Sequence, residues 1–308
     1  MKEDLIPILE VKDLSVRFRQ YEKGLKQVEL KVINSLNVKI YSGEILAVVG
    51  SSGSGKSLLA HAILGILPSN GVSHGLIKYC GKELTKERQE ELRGKEIALV
   101  PQSVTYLDPL MKIGEQVRGE NGSKEDQEKV FKKYSLKSEV ENMYPFQLSG
   151  GMARRVLVST AVISDAKLII ADEPTPGLDP VVAEETIRHL RNLADDGRGV
   201  MLITHDLELA FKVSDRIAVF YGGTTVEIAP VKDFIEGGNA LRHPYSRALW
   251  EALPENGFKP IPGFQPYAGN NFSGCIFWPR CQYKTEECLK NIEMRELRGG
   301  SVRCVHAT

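Results

Sequence analysis

The sequence predicts an α/β fold built on a largely parallel sheet, with a smaller extension at the carboxyl end. Continuous apolar runs of strand length, such as residues 45–49 and 168–171, alternate with helix-forming segments. Runs of that kind are typical of parallel strands that are buried on both faces. A third observation is the Gly- and Ser-rich loop after the first run, because such a loop joins a strand to a helix in this class of fold.

The composition is that of a globular protein without a bulk charge. The chain has 308 residues, with 40 Lys and Arg against 40 Asp and Glu, so we expect no nucleic-acid partner. No apolar run approaches the roughly 18 residues of a membrane span. Residues 1–4 lack the basic and apolar stretches of a signal peptide. We therefore expect a soluble, cytosolic chain, in which five cysteines do not form a disulfide framework.

The elements can be predicted in chain order. Residues 8–18 alternate with period two, and the polar residues 19–27 then predict a hairpin loop. A helix is predicted over residues 57–67, where Pro68 stops it, and residues 83–93 are also helical in type. Most of residues 111–164 favour helix, including a helix over residues 153–164. Buried strands are predicted at residues 45–49, 97–100, 168–171, 200–204 and 216–221.

The Gly-rich loop fits the phosphate-binding pattern G-x-x-x-x-G-K-[ST]. Its glycines let backbone N–H groups converge on phosphate oxygens, and the next helix presents the positive end of its dipole to them. In this pattern Lys56 reaches the β- and γ-phosphates, and the Ser57 hydroxyl is a ligand of Mg²⁺. The alternative is a loop that only turns a strand into a helix. The candidate nucleotide-binding residues are Gly50, Ser51, Ser52, Gly53, Ser54, Gly55, Lys56 and Ser57.

Two carboxylates end the apolar strand at residues 168–171. Asp172 suits the role of holding Mg²⁺ at the carboxyl edge of the sheet. Glu173 is placed to polarise the attacking water as a general base. An isolated Asp-Glu pair is often only a solvated strand end, but together with the phosphate-binding loop it predicts a hydrolytic nucleotide site.

Four further motifs are present. They are Gln102 after a strand, Leu148-Ser149-Gly150-Gly151 before a helix, Pro176-Gly177-Leu178-Asp179 after the acidic pair, and His205 after a strand. In this order and spacing the chain resembles the ATP-binding-cassette (ABC) ATPases, over roughly residues 8–235. The resemblance implies a P-loop ABC ATPase fold for residues 1–235, with a RecA-like parallel-sheet core and an antiparallel β subdomain. It also implies a helical subdomain over about residues 95–165.

The resemblance also implies roles for the motif residues. Gln102 would join Lys56, Glu173 and His205 as a catalytic residue, and would also contact Mg²⁺ together with Ser57 and Asp172. His205 would contact the γ-phosphate, and Asp179 would be the D-loop residue. The signature loop of Ser149, Gly150 and Gly151 would close on ATP that a second cassette holds.

One aromatic position completes the implied nucleotide site. Phe18 lies where the family stacks an aromatic ring on adenine, and Tyr21 is the alternative for this role.

The carboxyl-terminal extension, residues 236–308, is rich in Pro and holds four of the five cysteines. Such a loop-rich appendage needs a staple. The spacing of Cys275, Cys281, Cys288 and Cys304 has no tight C-x₂₋₄-C pair of the kind usual for zinc. A [4Fe–4S] cluster, a zinc ion and free thiols remain open on this spacing.

The extension resembles the tail of ATPase subunits from oligopeptide, dipeptide and nickel importers. The motifs that carry the resemblance are residues 243–249, 261–263 and 274–281, with Leu107-Asp108-Pro109 and residues 113–116 after the Q-loop. This resemblance implies a structural [4Fe–4S] cluster on the four cysteines. Cys80 has no partner in sequence and is expected to be a plain strand or turn residue.

The implied function is ATP hydrolysis to ADP and phosphate, coupled to import of peptides or nickel. The chain would form half of an ATP-sandwich dimer with a second, different ABC ATPase subunit. Two membrane permease subunits would hold it at the cytoplasmic face of the membrane, and an extracytoplasmic substrate-binding protein would deliver the substrate. The alternative is a non-transport ABC ATPase, as in iron–sulfur assembly. A non-catalytic ATP sensor is disfavoured because Glu173 and His205 are both present.

Overall fold

The computed structural model describes residues 6–21, 24–119, 122–266 and 273–308. The expectation about a signal peptide at residues 1–4 lies outside them. The strands are β1 (Leu9–Tyr21), β2 (Gln27–Ile40), β3 (Ile45–Gly50), β4 (Gly71–Tyr79), β5 (Lys82–Glu83), β6 (Ile97–Val100), β7 (Leu168–Asp172), β8 (Gly199–Ile203), β9 (Arg216–Tyr221), β10 (Thr224–Pro230), β11 (Arg295–Leu297) and β12 (Gly300–Val302). The α-helices are α1 (Lys56–Leu64), α2 (Lys86–Leu92), α3 (Ile113–Arg118), α4 (Lys124–Lys133), α5 (Gly150–Val162), α6 (Pro180–Asp195), α7 (Leu207–Val213), α8 (Val231–Ile235) and α9 (Pro244–Glu251).

The larger sheet has eight strands in the order β11-β12-β10-β9-β3-β8-β7-β6. Strands β9, β3, β8, β7 and β6 pair in parallel. Strands β7 and β8 are buried along their whole length, as their continuous apolar sequences predict. The prediction of an α/β fold with a parallel core is confirmed.

The smaller sheet is antiparallel, with the strand order β2-β1-β4-β5. Strand β1 reaches Tyr21, so the predicted loop beginning at residue 19 is too long on that side. The strand continues because its last residues pair with β2, from Arg19 opposite Glu29 to Tyr21 opposite Gln27, whereas the pairing with β4 ends at Phe18. Backbone pairing with one neighbouring strand outweighs the polar composition of these residues.

Two helices differ from their predicted bounds at residues that act as caps. Helix α1 ends at Leu64, before Pro68, because Gly65 takes the left-handed conformation with φ of 68° and closes the helix. Helix α5 begins at Gly150, earlier than the predicted residue 153. Its cap is Ser149, whose hydroxyl accepts the Met152 N–H at 3.3 Å.

Helices α3, α4 and α5 lie together beside the parallel sheet. Their apolar faces share one buried cluster with strands β6, β7 and β8, in which Val117, Phe131 and Val156 are buried. Within the predicted helical subdomain, residues 97–100 form a strand of the main sheet. The helical part therefore connects directly to the carboxyl end of β6, where Gln102 lies.

The extension continues the main sheet. Strand β12 pairs with β10, with Val302 opposite Glu227, and β11 pairs with β12. The predicted boundary at residue 236 stays a prediction. Within the described ranges, none of the helices is both long and apolar enough to cross a bilayer.

A buried ion network attaches the extension to the sheet. Arg242 lies 2.8 Å from the Asp233 carboxylate and 3.2 Å from that of Glu227, and all three side chains are nearly or fully buried. Arg242 also donates to the carbonyl oxygens of Leu297 and Arg298 at 2.7 and 2.6 Å. One guanidinium thus joins β10, α8 and the turn between β11 and β12.

We expect Arg242→Met to lower the free energy of unfolding by about 3–5 kcal/mol, because it leaves the Glu227 and Asp233 carboxylates buried without their cation. Urea unfolding followed by circular dichroism measures this loss. The control is Arg17→Met, which removes the exposed ion pair with Glu29 at 3.2 Å and should cost less than about 1 kcal/mol. Equal losses in the two variants would contradict a structural role for the network.

Candidate functional site

The phosphate-binding loop lies between β3 and α1 and depends on two glycines. Gly50 has a φ of 152°, and a Cβ there would lie 2.2 Å from the Phe220 carbonyl oxygen, so no other residue fits. Gly55 is the N-cap of α1 in the left-handed conformation, with φ of 93°. Among the described residues no side chain caps this helix. Its first N–H groups are therefore available to an anionic ligand.

Lys56 is held at the floor of this loop. Its Nζ donates to the carbonyl oxygens of Gly50 at 2.9 Å and Ser51 at 3.1 Å, and the residue is only 7% exposed. Burial lowers the pKa of Lys56, while the nearby Glu173 and Asp172 carboxylates act in the opposite direction. The ammonium group is thus partly desolvated and oriented before any phosphate arrives.

Ser57 and Asp172 meet at the carboxyl end of β7. Burial raises the pKa of Asp172, while the nearby Ser57 hydroxyl acts in the opposite direction. The Asp172 Oδ1 atom and the Ser54 hydroxyl are buried without a hydrogen-bond partner among the described residues. Oxygen donors with spare capacity beside a phosphate-binding loop fit Mg²⁺, which prefers carboxylate, hydroxyl and phosphate oxygens.

The Glu173 carboxylate contacts two other predicted catalytic residues, Gln102 and His205. Its Oε2 accepts a hydrogen bond from Gln102 Nε2 at 2.8 Å, and its Oε1 lies 3.1 Å from His205 Nδ1. The Glu173 backbone has a φ of 46°, which costs free energy for a residue with a Cβ and is common at active sites. This turn directs the carboxylate toward the loop that holds Lys56.

These residues share one cavity of about 520 Å³. Its lining combines most of the loop with three residues from other strand ends. The lining residues are Val32, Ser52, Gly53, Ser54, Gly55, Lys56, Ser57, Leu58, Gln102, Glu173 and His205. Val32 and Leu58 were not predicted from the sequence, since an apolar residue in a strand or helix carries no specific signal.

The remaining predicted site residues lie elsewhere. Ser149 and Asp179 cap the helices α5 and α6 and do not line the cavity. A Cβ at Gly150 or Gly151 would meet no described atom within 4 Å, so this loop is open on its outer side.

Phe18 is also away from the cavity and packs in the antiparallel sheet. Its ring would lie 2.9 Å from a Cβ at Gly71, and it contacts the hydrophobic core. The structure does not bring Phe18 to the lining of the nucleotide cavity.

Arg154 is a residue that the sequence reasoning missed. It lies in α5, is 4% exposed, and donates to the carbonyl oxygens of Pro101 at 2.9 Å, Gln102, and Pro174 at 3.1 Å. Arg154 therefore ties the helix after the signature loop to the segments that carry Gln102 and Glu173. An arginine within an apolar helix was the available signal.

The four cysteines of the extension are free thiols, and three of them are buried. Burial, with smaller contributions from the other three thiols, raises the pKa of Cys275 to about 12. The Cys288 Sγ lies 3.4 Å from His306 Nε2, and the Cys275 Sγ lies 4.0 Å from His243 Nε2. In the part of the chain that is described, no group of three or more His, Cys, Asp or Glu forms an arrangement that could hold a metal ion.

Comparison with known protein families agrees with this geometry. Residues 33–176 match the ABC transporter family, and residues 226–288 match the C-terminal region of the oligopeptide/dipeptide transporter family. One solved structure, an ATP-binding subunit of an ABC transporter, superposes with a TM-score of 0.62 at 25% identity over 74% of this chain and 92% of its own. A dimeric bacterial ABC transporter cassette superposes with a TM-score of 0.62 at 26% identity. The match covers 72% of this chain and 98% of that cassette.

Curated relatives match over nearly the full length. The oligopeptide transport ATP-binding protein OppD of Haemophilus influenzae is 34% identical over 96% of this chain and 96% of its own. The dipeptide transport ATP-binding protein DppD of Caldanaerobacter subterraneus is 36% identical over 86% of this chain and 87% of its own length. The phosphate-binding loop, Glu173 and His205 line one cavity. Together with these matches, this shows that the chain belongs to the ATP-binding subunits of the oligopeptide and dipeptide ABC transporters.

Proposed function

We propose that this chain hydrolyses ATP to power peptide import through an ABC transporter. The observation that carries the proposal is the meeting of Gln102 and His205 on the Glu173 carboxylate, in the cavity that also holds Lys56. A non-catalytic nucleotide sensor does not need a positioned carboxylate beside the phosphates, whereas hydrolysis needs a group that polarises water. The non-transport alternative, such as iron–sulfur assembly, has no support in the names of the relatives.

The reaction is an in-line attack of water on the γ-phosphate, which releases ADP and phosphate. Glu173 accepts the proton from the attacking water, while Gln102 and His205 fix the orientation of its carboxylate. Lys56 stabilises negative charge on the β- and γ-phosphates. Ser57, Asp172 and Gln102 would hold Mg²⁺, which supplies further charge neutralisation at the phosphate oxygens when bound.

A single chain does not complete this site. Ser149, Gly150 and Gly151 lie outside the cavity that Lys56 lines, at the start of a different helix. A head-to-tail dimer would let the signature loop of a second cassette cover the γ-phosphate. We propose that this second ABC ATPase subunit is a different chain, so that the pair is a heterodimer. Asp179 would lie at that interface as the D-loop residue.

An exposed apolar surface beside Gln102 suits a permease. Val104, Tyr106, Leu110 and Met111 are between 41% and 86% exposed, and Phe146 is 76% exposed. Exposed apolar groups at this density mark protein-binding surfaces. Because this segment follows Gln102 directly, contact with a permease here would transmit closure of the ATP site.

The remaining partners follow from the transporter assignment. The relatives are named for oligopeptide and dipeptide transport, which favours peptide over nickel as the imported substrate. Two membrane permease subunits would hold the chain at the cytoplasmic face, and an extracytoplasmic substrate-binding protein would deliver the peptide. Adenine stacking on Phe18 stays a prediction.

We also propose a [4Fe–4S] cluster on Cys275, Cys281, Cys288 and Cys304, with zinc as the alternative. The support is the chemistry of the donor set, since four free thiols lie in the extension. As described, these thiols do not form a metal-holding group, so the cluster would have to draw them together. The cluster would be structural, since the cavity with Glu173 contains no cysteine.

We expect Glu173→Gln to bind MgATP but to hydrolyse it at least ~100-fold more slowly in the assembled transporter, because the amide cannot accept a proton from water. Phosphate release measures the rate. Lys56→Ala should weaken nucleotide binding itself. The matched control is Glu184→Gln, an exposed position on α6, which should leave the rate unchanged. Near-normal turnover of Glu173→Gln would show that the base assignment is wrong.

We expect a cysteine placed at Tyr106 or Leu110 to form crosslinks to a permease subunit, with yields that change when ATP is added. Both positions are exposed and follow the Q-loop. A cysteine at Phe258, which is also exposed but lies in the extension, is the control. Crosslinks confined to Phe258 would contradict the docking surface.

We expect anaerobically purified protein to be brown and to contain about four irons per chain. Cys281→Ser should lose colour and iron, because the cluster loses one of its thiolates. Cys80→Ser is the matched control, since Cys80 is exposed and lies outside the extension. A colourless anaerobic preparation with one zinc per chain would refute the cluster and leave the ATPase proposal intact.

A further inference from the structure

Two side chains of the extension contact the phosphate-binding loop at Ser51. The Ser51 hydroxyl donates a hydrogen bond to Gln265 Oε1. The phenol of Tyr245, in α9, lies near Ser51, which acts to lower the pKa of that phenol against the larger opposite effect of burial. Both contacts join residues about 200 positions apart in the chain. The loop is therefore bordered on this side by the extension.

Gln265 lies at the end of a short segment, residues 261–265, which we call the strap. Arg280 fixes the other end of the strap. Its Nη2 donates to the Ile261 carbonyl oxygen at 2.7 Å, and its Nε donates to that of Pro262 at 2.6 Å. A planar guanidinium with several donors can hold two successive carbonyls in one geometry. The strap is thus held at one end by Arg280 and at the other by Ser51.

Tyr245, the other residue near Ser51, is linked to Arg280 through Tyr221. Arg280 Nη1 donates to the Tyr221 hydroxyl at 3.1 Å, and the Tyr221 ring lies 4.4 Å from the Tyr245 ring. Phe277 packs against both tyrosine rings, with centroids 5.3 and 5.4 Å away. Burial raises the pKa of Tyr245 to about 12, so its hydroxyl stays protonated.

We propose that Tyr245 and Gln265 are positioning residues of the nucleotide site and act through Ser51. The Ser51 carbonyl oxygen accepts one of the two backbone hydrogen bonds that orient Lys56. Fixing Ser51 therefore fixes both the loop and its lysine. An ordered loop loses less conformational entropy when it binds phosphates, so its affinity is higher. This inference rests on the proposed function of the cavity as an ATP site.

The first test is the affinity for MgATP of the Gln265→Ala variant, measured by equilibrium titration and compared with kcat in the assembled transporter. We expect Kd to rise about 3- to 10-fold, the range for one net hydrogen bond. Because Gln265 touches no reacting atom, kcat at saturating MgATP should stay within about 2-fold. Lys259→Ala is the matched control, since Lys259 is exposed beside the strap and pairs with Glu251.

Two further variants separate positioning from general stability. Tyr245→Phe removes the other contact to Ser51 but keeps the buried ring, and should raise Kd in the same range. Arg280→Lys keeps the charge but loses the planar fork that holds the strap. It should also raise Kd, with a melting temperature close to that of the unmodified chain.

A double-mutant cycle tests whether the effect passes through Ser51. Ser51→Ala should raise Kd, whereas Ser51→Thr keeps the hydroxyl and should restore it. The Ser51→Ala, Gln265→Ala pair should bind MgATP within about 2-fold of Ser51→Ala alone, because the same hydrogen bond is lost in both.

An unchanged Kd for Gln265→Ala, or losses that multiply in the double variant, would overturn the positioning role. Lys56→Ala distinguishes this from failure of the proposed function. If Lys56→Ala abolishes MgATP binding while Gln265→Ala has no effect, only the positioning role is wrong. If Lys56→Ala binds MgATP normally, the cavity is not the ATP site and both proposals fail.

Discussion

The nucleotide site depends on the parallel alignment of neighbouring strands in the main sheet. Strands β3, β8, β7 and β6 lie side by side and point the same way, so their carboxyl ends meet along one edge. The phosphate-binding loop, Glu173, Gln102 and His205 each follow one of these ends. This alignment brings together the side chains of Gln102, Glu173 and His205, although Gln102 lies 71 positions and His205 lies 32 positions from Glu173 along the chain.

Within this edge, the strongest constraint is electrostatic. Lys56 is buried close to two carboxylates, and one of them, Asp172, has an oxygen without a hydrogen-bond partner among the described residues. Burial acts against the charged forms of both groups, raising the pKa of Asp172 and lowering that of Lys56. A bound nucleotide with its metal ion would satisfy charges that the protein only partly neutralises by itself.

The extension packs against the cassette as part of the same fold. Its last strands lengthen the main sheet, Arg242 ties it to β10 and α8, and the strap reaches the phosphate-binding loop. Each of these contacts is polar, and the Arg242 network is nearly fully buried, so each contact fixes a geometry as well as adding buried area. The cysteine-bearing part of the chain and the nucleotide site therefore belong to one packed structure.

The sequence by itself determined the buried strands and the phosphate-binding loop, because each has a local pattern with a physical cause, and it placed Asp172 and Glu173 at the end of a buried strand. The role of His205, and the need of the signature loop at Ser149 for a second cassette, came only from the resemblance to a family and stay predictions.

Only the tertiary structure decided the positions of the other functional side chains. Phe18 packs against Gly71 in the antiparallel sheet, Arg154 joins three backbone carbonyls, and Ser51 bonds to Gln265. These contacts link residues 20 to 214 positions apart. No local pattern specifies such pairs, because they form only when the sheets and the extension pack together. The spacing of residues along the chain sets which face of a strand or helix a side chain occupies, but not which distant residue it contacts.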